Sequence, residues 1–392
     1  MKRLTQGIRR MLGFIDTYNS YESGRLTCDE AGTLLGMSER SFRRWKARYE
    51  ADGEFGLTDK RIGKVSSRKA QYGETRLVNQ LYAEQYRGFN VAHYHQFLVE
   101  HHGLNRSYDF VKRTLAESRL VLPSKRGGDH RLRRPRKPME GMMLHQDVST
   151  HNWFGEENCD LVVTMDDATS EITSAFFCSQ EGTMSSLRGI KETIELKGLF
   201  CSFYTDRGSH YWFTPEAGGK VDKSNLTQVG RALQQLGIQH IAAYSPQARG
   251  RSERNFSTLQ GRLVNELKLN NINNIESAND YLQNVYLPSH NARFTVEASE
   301  NTSAYLTYIG RDLNEVLCVQ EVRSVGLDNT VRYDGKILQI QNDEHRHHYA
   351  KCEVIVHQKL DETLAIFYGN RCLEEFDKNG KPLAKNKLQK CG

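Results

Sequence analysis

The sequence predicts a multidomain protein with α-helical modules first, an α/β core next and a small β-barrel last. Three observations support this class. Helical spacing of apolar residues dominates the first third of the chain, strand-like apolar runs begin near residue 140, and short strands at close spacing fill the C-terminal part. With 392 residues, the chain can build more than one hydrophobic core. The predicted divisions are a helical module over 1–60, a second over 61–122, a basic linker over 123–138, the α/β core over 139–310, the barrel over 311–377 and a polar tail over 378–392.

The first helical module reads as a helix-turn-helix. A short helix, a Gly-containing turn and a second helix opened by Ser38 follow one another between residues 27 and 52. In the second helix Phe42, Trp45 and Tyr49 form the apolar stripe. The basic residues that lie largely outside the stripe are predicted to contact DNA in the major groove: Arg40, Arg43, Arg44, Lys46 and Arg48. A merely solvated basic helix is the alternative.

Charge is divided unevenly along the chain. Residues 1–140 hold 28 Lys and Arg against 16 Asp and Glu, whereas the remainder holds 26 against 32. A basic front suits a polyanion such as DNA, although a basic surface without that role has the same charge. Three helical patterns in 61–122 predict a second helix-turn-helix-like DNA-binding module, and the linker adds the predicted DNA contacts Lys125, Arg126, Arg131, Arg133, Arg134, Arg136 and Lys137. A tether without DNA contact is the alternative for the linker.

The core shows three strand patterns, a helix and a fourth strand, followed by a helix, a short strand and a long helix from about Gly250. Asp147 falls in or just after the first strand, Asp206 directly follows the fourth, and Glu253 opens the long helix. Glu253 precedes Phe256 by three residues, so it is expected on the face that docks on the sheet. A carboxylate there must be paired, protonated or bound to a cation, and carboxylate oxygens favour Mg²⁺ or Mn²⁺.

Three motifs carry a family resemblance: Gly141 to Asp147 (GMMLHQD), Tyr204 to His210 (YTDRGSH) and Tyr244 to Arg254 (YSPQARGRSER). Together they resemble the DDE transposases of bacterial insertion sequences, most closely the ISNCY-like group, over nearly the whole chain. The resemblance implies a catalytic core of the retroviral integrase, RNase H-like type. It also implies that Asp147, Asp206 and Glu253 are the catalytic, metal-binding triad.

The resemblance implies a function. The enzyme would bind the terminal inverted repeats of its element, cleave at the ends and join the 3′-hydroxyl to target DNA, using two Mg²⁺ or Mn²⁺ ions. Expected partners are double-stranded element and target DNA and further copies of the chain on DNA, and the expected location is the cytoplasm, at the bacterial nucleoid. Neither a membrane span nor a signal peptide is predicted. A sequence-specific DNA-binding regulator without strand transfer, or a simple nuclease, is the alternative.

Several further residues have competing interpretations. The 46 residues between Asp206 and Glu253 exceed the family's usual spacing, and an insertion at 215–223 explains the difference. Arg249, Arg251 and Arg254 flank Glu253 and are predicted to contact DNA rather than to be solvated charges. Asp166 and Asp167 are interpreted as caps of the turn after them rather than as catalytic groups. Zinc binding by the histidines near residue 347 is a minor alternative to a basic loop.

Overall fold

The computed structural model describes residues 2–58, 70–122, 134–155, 157–216, 219–244, 250–342 and 344–383. It divides into two compact units, Met1–Arg76 and Leu77–Gly392. Lys125, Arg126, Arg131, Arg133 and Arg249 lie outside the described residues. Among the residues that the structure describes, no helix has the length and apolar character needed to cross a bilayer.

The first unit is built on three helices: α1 (Lys2–Glu22), α2 (Cys28–Leu34) and α3 (Glu39–Asp52). Ser38 accepts a hydrogen bond from the Ser41 amide and so caps α3, as its sequence predicts. Phe14 from α1 packs on Phe42 from α3, and both are fully buried. Trp45 and Tyr49 are partly buried against the same cluster. The predicted helix-turn-helix is therefore present, with a long preceding helix that completes its core.

A second helical group contains α4 (Tyr72–Glu84), α5 (Val91–His102) and α6 (Tyr108–Glu117). Asn90 and Ser107 cap α5 and α6, which fixes where each helix begins. The group has its own apolar core, centred on Tyr94 and Leu98. It also contacts the long helix of the core: His93 Nε2 lies 2.8 Å from Glu266 Oε1, and Arg262 donates to Gln96 Oε1 at 2.8 Å.

The central sheet has five strands in the order β3-β2-β1-β4-β5. Pairing is antiparallel between β1 and β2 and between β2 and β3, and parallel from β1 to β4 and from β4 to β5. Residues on β2 are buried throughout, because helices cover both faces. The strands and helices, in chain order, are β1 (Leu144–His151), β2 (Cys159–Asp166), β3 (Ile172–Cys178), α7 (Thr183–Lys197), β4 (Ser202–Thr205), α8 (Gln228–Gln235), β5 (Gln239–Ala242) and α9 (Gly250–Leu269).

The two faces of the sheet have separate hydrophobic cores. On one face α9 packs through an apolar stripe of Phe256, Leu259, Leu263 and Leu267. Two further helices pack beside α9 on this face: α10 (Ile275–Tyr281) and α11 (Leu287–Phe294). A π-helical turn over Leu282–Tyr286 connects them. On the opposite face α7 and α8 bury Leu187, Ile190 and Leu233.

The C-terminal part contains a short helix and two antiparallel sheets in the described residues. The four-stranded sheet has the order β11-β10-β9-β6, and β7 pairs only with β8. This pairing does not close a ring, so the predicted barrel is not confirmed, although the short strands at close spacing are present. The first residues of the predicted tail are bound to β11, since the Leu383 amide donates a hydrogen bond to the Glu375 carbonyl at 2.8 Å. The elements are α12 (Leu313–Val316), β6 (Val319–Ser324), β7 (Thr330–Tyr333), β8 (Lys336–Gln339), β9 (Glu353–Gln358), β10 (Leu364–Tyr368) and β11 (Arg371–Phe376).

Candidate active site

Asp147 and Asp206 come together through the parallel pairing of β1 with β4. The pairing matches Leu144 with Phe203 and His145 with Tyr204. In that register Asp206, the first residue after β4, is level with Asp147 on the neighbouring strand. Adjacent strands lie about 4.8 Å apart, so the register places the two residues at the same level of neighbouring segments.

A buried tyrosine lies behind Asp147 and Asp206, on the opposite face of the sheet. The Tyr211 hydroxyl donates to Gln146 Oε1 at 2.7 Å, and only 2% of the residue is exposed. Burial raises the pKa of Tyr211, and the negative charges of Asp206 and Asp147 raise it further. Both carboxylates therefore act on the same phenol. Tyr211 and the adjacent Trp212 are both buried in the core between the sheet and the helices α7 and α8.

The turn after Asp206 holds its carboxylate in place. Asp206 Oδ1 accepts from the Gly208 amide at 2.9 Å. His210 lies close by, and burial lowers its pKa despite the opposing charge of Asp206. On the other strand Asp147 Oδ1 accepts from the Val148 amide at 3.0 Å. Both Asp147 and Asp206 are half-buried, which leaves them within reach of a solvent-borne ligand.

Glu253 lies in the first turn of α9 and is exposed. The helix crosses the sheet beside β1, because Gln260 Nε2 donates to Ser149 Oγ at 2.9 Å. Gln260 follows Glu253 by two turns and shares its side of the helix, whereas Ser149 and Asp147 project from the same face of β1. The helix α9 therefore packs on the face of β1 from which Asp147 projects, and Glu253 is exposed at the start of that helix.

The structure brings two of the three predicted carboxylates onto adjacent strands and leaves the third more open. Within the described residues, no group of three or more His, Cys, Asp or Glu side chains is close enough to hold a metal ion. Asp147 and Asp206 supply the oxygen donors that a hard divalent cation takes, so this donor set fits Mg²⁺ or Mn²⁺. Glu253 would complete the set only by turning toward them.

A further acidic residue, Asp167, lies at the centre of a polar cluster that the sequence did not predict. Its side chain has no exposed surface and accepts from His145 Nε2 at 2.7 Å. It also pairs with the guanidinium groups of Arg134 and Arg251, and accepts from the Lys137 amide at 2.8 Å. Burial alone would raise the pKa of Asp167, but the hydrogen bonds and positive charges around it hold that pKa well below its usual range.

Its neighbour Asp166 has a different role. Asp166 Oδ1 accepts from the amides of Ala168 and Thr169 at 2.8 and 3.0 Å, and Oδ2 accepts from the Gly141 amide at 2.7 Å. The prediction of a turn cap is therefore confirmed for Asp166, whereas Asp167 connects separate segments. A sequence signal existed, since two acidic residues follow the mainly apolar run from Leu161 to Met165, where a buried carboxylate requires partners.

The predicted DNA contacts have distinct surroundings. Arg40, Arg43, Arg44 and Arg48 are exposed on α3, with Arg43 paired to Glu39. Lys46 instead lies 3.3 Å from the Tyr21 hydroxyl and 3.4 Å from Glu22 Oε1, so it joins α3 to α1.

Near the core, Arg136 donates to the Asp167 and Ala168 carbonyls at 2.9 and 3.1 Å. Arg134 and Arg251 pair with Asp167, whereas Arg254 is exposed. Thus residues 134–137 are held against the core. Their contact with DNA stays a prediction, as it does for Lys137 and Arg254.

The C-terminal histidines form no metal-binding group in the described part of the chain. His345, His347 and His348 are exposed, whereas His357 is buried in β9 and stacks on Phe367 with ring centroids 4.2 Å apart. Their different burial explains why they do not gather around one ion.

The chain carries a helix-turn-helix and an α/β core, and it is similar to transposases, which are DNA-acting enzymes of the polynucleotidyl transferase type. Residues 19–64 match a family described as "Helix-turn-helix domain". The chain is 28% identical over 339 residues to a protein of Sinorhizobium fredii named as transposase y4bF, covering 86% of this chain and 74% of that one. It is also 28% identical over 309 residues to the transposase for insertion sequence IS1202 of Streptococcus pneumoniae, covering 69% and 65% of the two chains. The predicted resemblance to insertion-sequence transposases is confirmed.

Solved structures show a weaker likeness. The HTLV-2 integrase catalytic core domain in complex with magnesium aligns at 18% identity and a TM-score of 0.27, covering 38% of this chain and 89% of that one. The simian T-cell lymphotropic virus intasome aligns at 12% identity and a TM-score of 0.35, covering 80% of this chain and 100% of that one.

Proposed function

We propose that the chain binds the terminal inverted repeats of an insertion sequence, cleaves at the element ends and joins the 3′-hydroxyl to target DNA. The observation that supports the proposal is the parallel register of β1 with β4, in which Asp206 follows β4 at the level of Asp147. The similarity to the two transposases supports it.

In this proposal Asp147, Asp206 and Glu253 hold two Mg²⁺ or Mn²⁺ ions. Bound divalent ions would activate the attacking oxygen and stabilise the leaving oxygen in each displacement at phosphorus. Asp147 and Asp206 stay oriented through the amides of Val148 and Gly208. Exposed arginines on α3, together with basic residues of the linker, would hold the DNA phosphates.

The test incubates the full chain with labelled element ends, a target plasmid and Mg²⁺. Cleaved ends and joined products, both dependent on Mg²⁺ and on Asp147, are expected. Specific binding without either product would favour the DNA-binding regulator instead. Cleavage without joining on any end sequence would favour the simple nuclease.

A further inference from the structure

We infer that Asp167 is a positioning residue that sets the separation between the strand carrying Asp147 and the helix carrying Glu253. The inference rests on the proposed function, because it concerns the geometry of that same site. Asp167 itself is assigned no contact with DNA or metal.

Asp167 reaches both elements through residues adjacent to the triad. His145, its partner at 2.7 Å, precedes Asp147 by two residues and therefore projects from the same face of β1. Arg251, its partner on α9, precedes Glu253 by two residues in the first turn. A single buried carboxylate thus connects the two elements.

The first turn of α9 needs such a tie. A first helical turn has unsatisfied amides and few backbone bonds of its own. The apolar stripe of α9 begins only at Phe256, three residues after Glu253. Arg251 fills this gap by pairing with Asp167 and by donating to the Arg134 carbonyl at 2.6 Å. The position of Glu253 over the sheet therefore depends on this polar cluster.

Charge makes the arrangement specific to a carboxylate. Asp167 has no exposed side-chain surface and pairs with two guanidinium groups. In Asp167→Asn the amide keeps the shape, but the two cations lose their counter-charge and would move toward water. A displacement of about 1 Å at a catalytic group can lower a rate by about 100-fold.

Asp166→Asn is the matched control. Asp166 is 1% exposed and adjacent in sequence, and its side chain accepts from Gly141, Ala168 and Thr169 rather than from α9. A role confined to stability would appear in both variants. A positioning role would appear only in Asp167→Asn and in Arg251→Gln, with Arg251→Lys closer to the unmodified chain because it keeps the charge.

The experiment compares these four full-length variants by Mn²⁺ calorimetry, by hydrogen exchange of residues 250–256 and by cleavage of labelled ends. Asp167→Asn and Arg251→Gln should weaken Mn²⁺ binding by about tenfold and cleavage by about 100-fold, with faster exchange in the first turn of α9. The end-DNA affinity of Asp167→Asn should stay within about twofold of the unmodified chain, because Asp167 is assigned no contact with DNA and the α3 arginines are unchanged. Asp166→Asn should lower the melting temperature without changing Mn²⁺ affinity or exchange at 250–256.

Two results would overturn the inference: unchanged exchange at 250–256 in Asp167→Asn and Arg251→Gln, or equal losses in Asp166→Asn and Asp167→Asn. If Asp167→Asn fails to fold, the comparison of Arg251→Gln with Arg251→Lys tests the inference instead, because Arg251 lies nearer the surface than Asp167. If the unmodified chain and Asp147→Asn are equally inactive, the proposed function fails. Hydrogen exchange still decides the positioning role in that case, because it requires no reaction.

Discussion

At the scale of single residues, the acidic side chains fall into three groups with different surroundings. Asp147 and Asp206 are half-buried at a sheet edge, Glu253 is exposed at a helix start, and Asp166 and Asp167 are fully buried with complete sets of partners. Only groups with accessible oxygens can take up a cation from solvent. The three carboxylates of the proposed triad therefore differ in burial from their acidic neighbours Asp166 and Asp167.

Asp147→Asn, Asp206→Asn and Glu253→Gln should each abolish cleavage and joining, while end-DNA binding changes by less than about twofold. The reason is that these carboxylates are proposed as metal ligands and not as DNA contacts. Gel-based cleavage assays and binding titrations measure the two effects. Glu276→Gln is the control, since Glu276 is also exposed in a first helical turn. Substantial cleavage by one triad variant would remove that residue from the triad.

The buried His290 predicts acid sensitivity. Burial, aided by the positive charge of Arg262, lowers the pKa of His290 from 6.5 to about 4. The unfolded chain then binds more protons than the folded chain between these values, so the stabilising contribution is present above about pH 6.5 and lost as the pH falls toward about 4.

Calorimetric unfolding should show this loss as ~2 kcal/mol of unfolding free energy between about pH 7.5 and about pH 5. His290→Phe should remove that part of the pH dependence, because a phenyl ring can pack between Tyr286 and Phe294 without titrating. The same substitution at the exposed His347 controls for replacing a surface histidine. An unchanged pH dependence in His290→Phe would contradict the assignment.

At the scale of elements, α3 presents two kinds of basic residue. Arg44 is exposed, whereas Lys46 bonds to Tyr21 and lies over its ring at 4.4 Å from Nζ to the centroid. Position on one helix therefore does not imply one role. Arg44 is exposed to a DNA phosphate or base, whereas Lys46 stabilises the packing of α3 on α1.

Arg44→Ala should weaken end-DNA binding and lower the slope of log affinity against log salt by about 1 if Arg44 contacts a phosphate. Lys46→Ala should mainly lower the melting temperature of the N-terminal unit. Fluorescence anisotropy over a salt series and thermal unfolding measure the two outcomes. A larger salt effect from Lys46→Ala than from Arg44→Ala would reverse these assignments.

At the scale of the whole molecule, an insertion has two ends that must reach one target, which favours an assembly of at least two copies of the chain. End recognition is proposed to reside mainly in residues 1–138, and the carboxylates lie after residue 140. One copy could then bind an end that another copy cuts. Such action in trans would suppress breaks at unpaired ends.

Mixing a chain defective in end binding (Arg43→Ala with Arg44→Ala) with one defective in catalysis (Glu253→Gln) should restore joining. Each chain alone should be inactive, and light scattering of the DNA complex should report more than one copy. Joined products from each end with a chain that stays monomeric on DNA would exclude the assembly. The triad assignment would survive that result, because it is tested separately.

The sequence by itself indicated most of the helices and strands and the resemblance to insertion-sequence transposases. Local signals mark them: Ser38 and Asn90 as helix caps, alternation and apolar runs for the strands, and Asp-Gly at 334–335 for a hairpin. The first unpredicted strand, β6, is only partly buried and carries three charged or amide side chains, so its apolar pattern is weak.

Only the tertiary structure decided which charges meet. His145, Asp167 and Arg251 are separated by up to 106 positions in sequence, and their pairing depends on the docking of α9 on the sheet. The same holds for Asp206 beside Asp147, which follows from a strand register that no local pattern encodes. Helix caps and turns are set by neighbouring residues, whereas a buried ion pair is set by how separate elements pack.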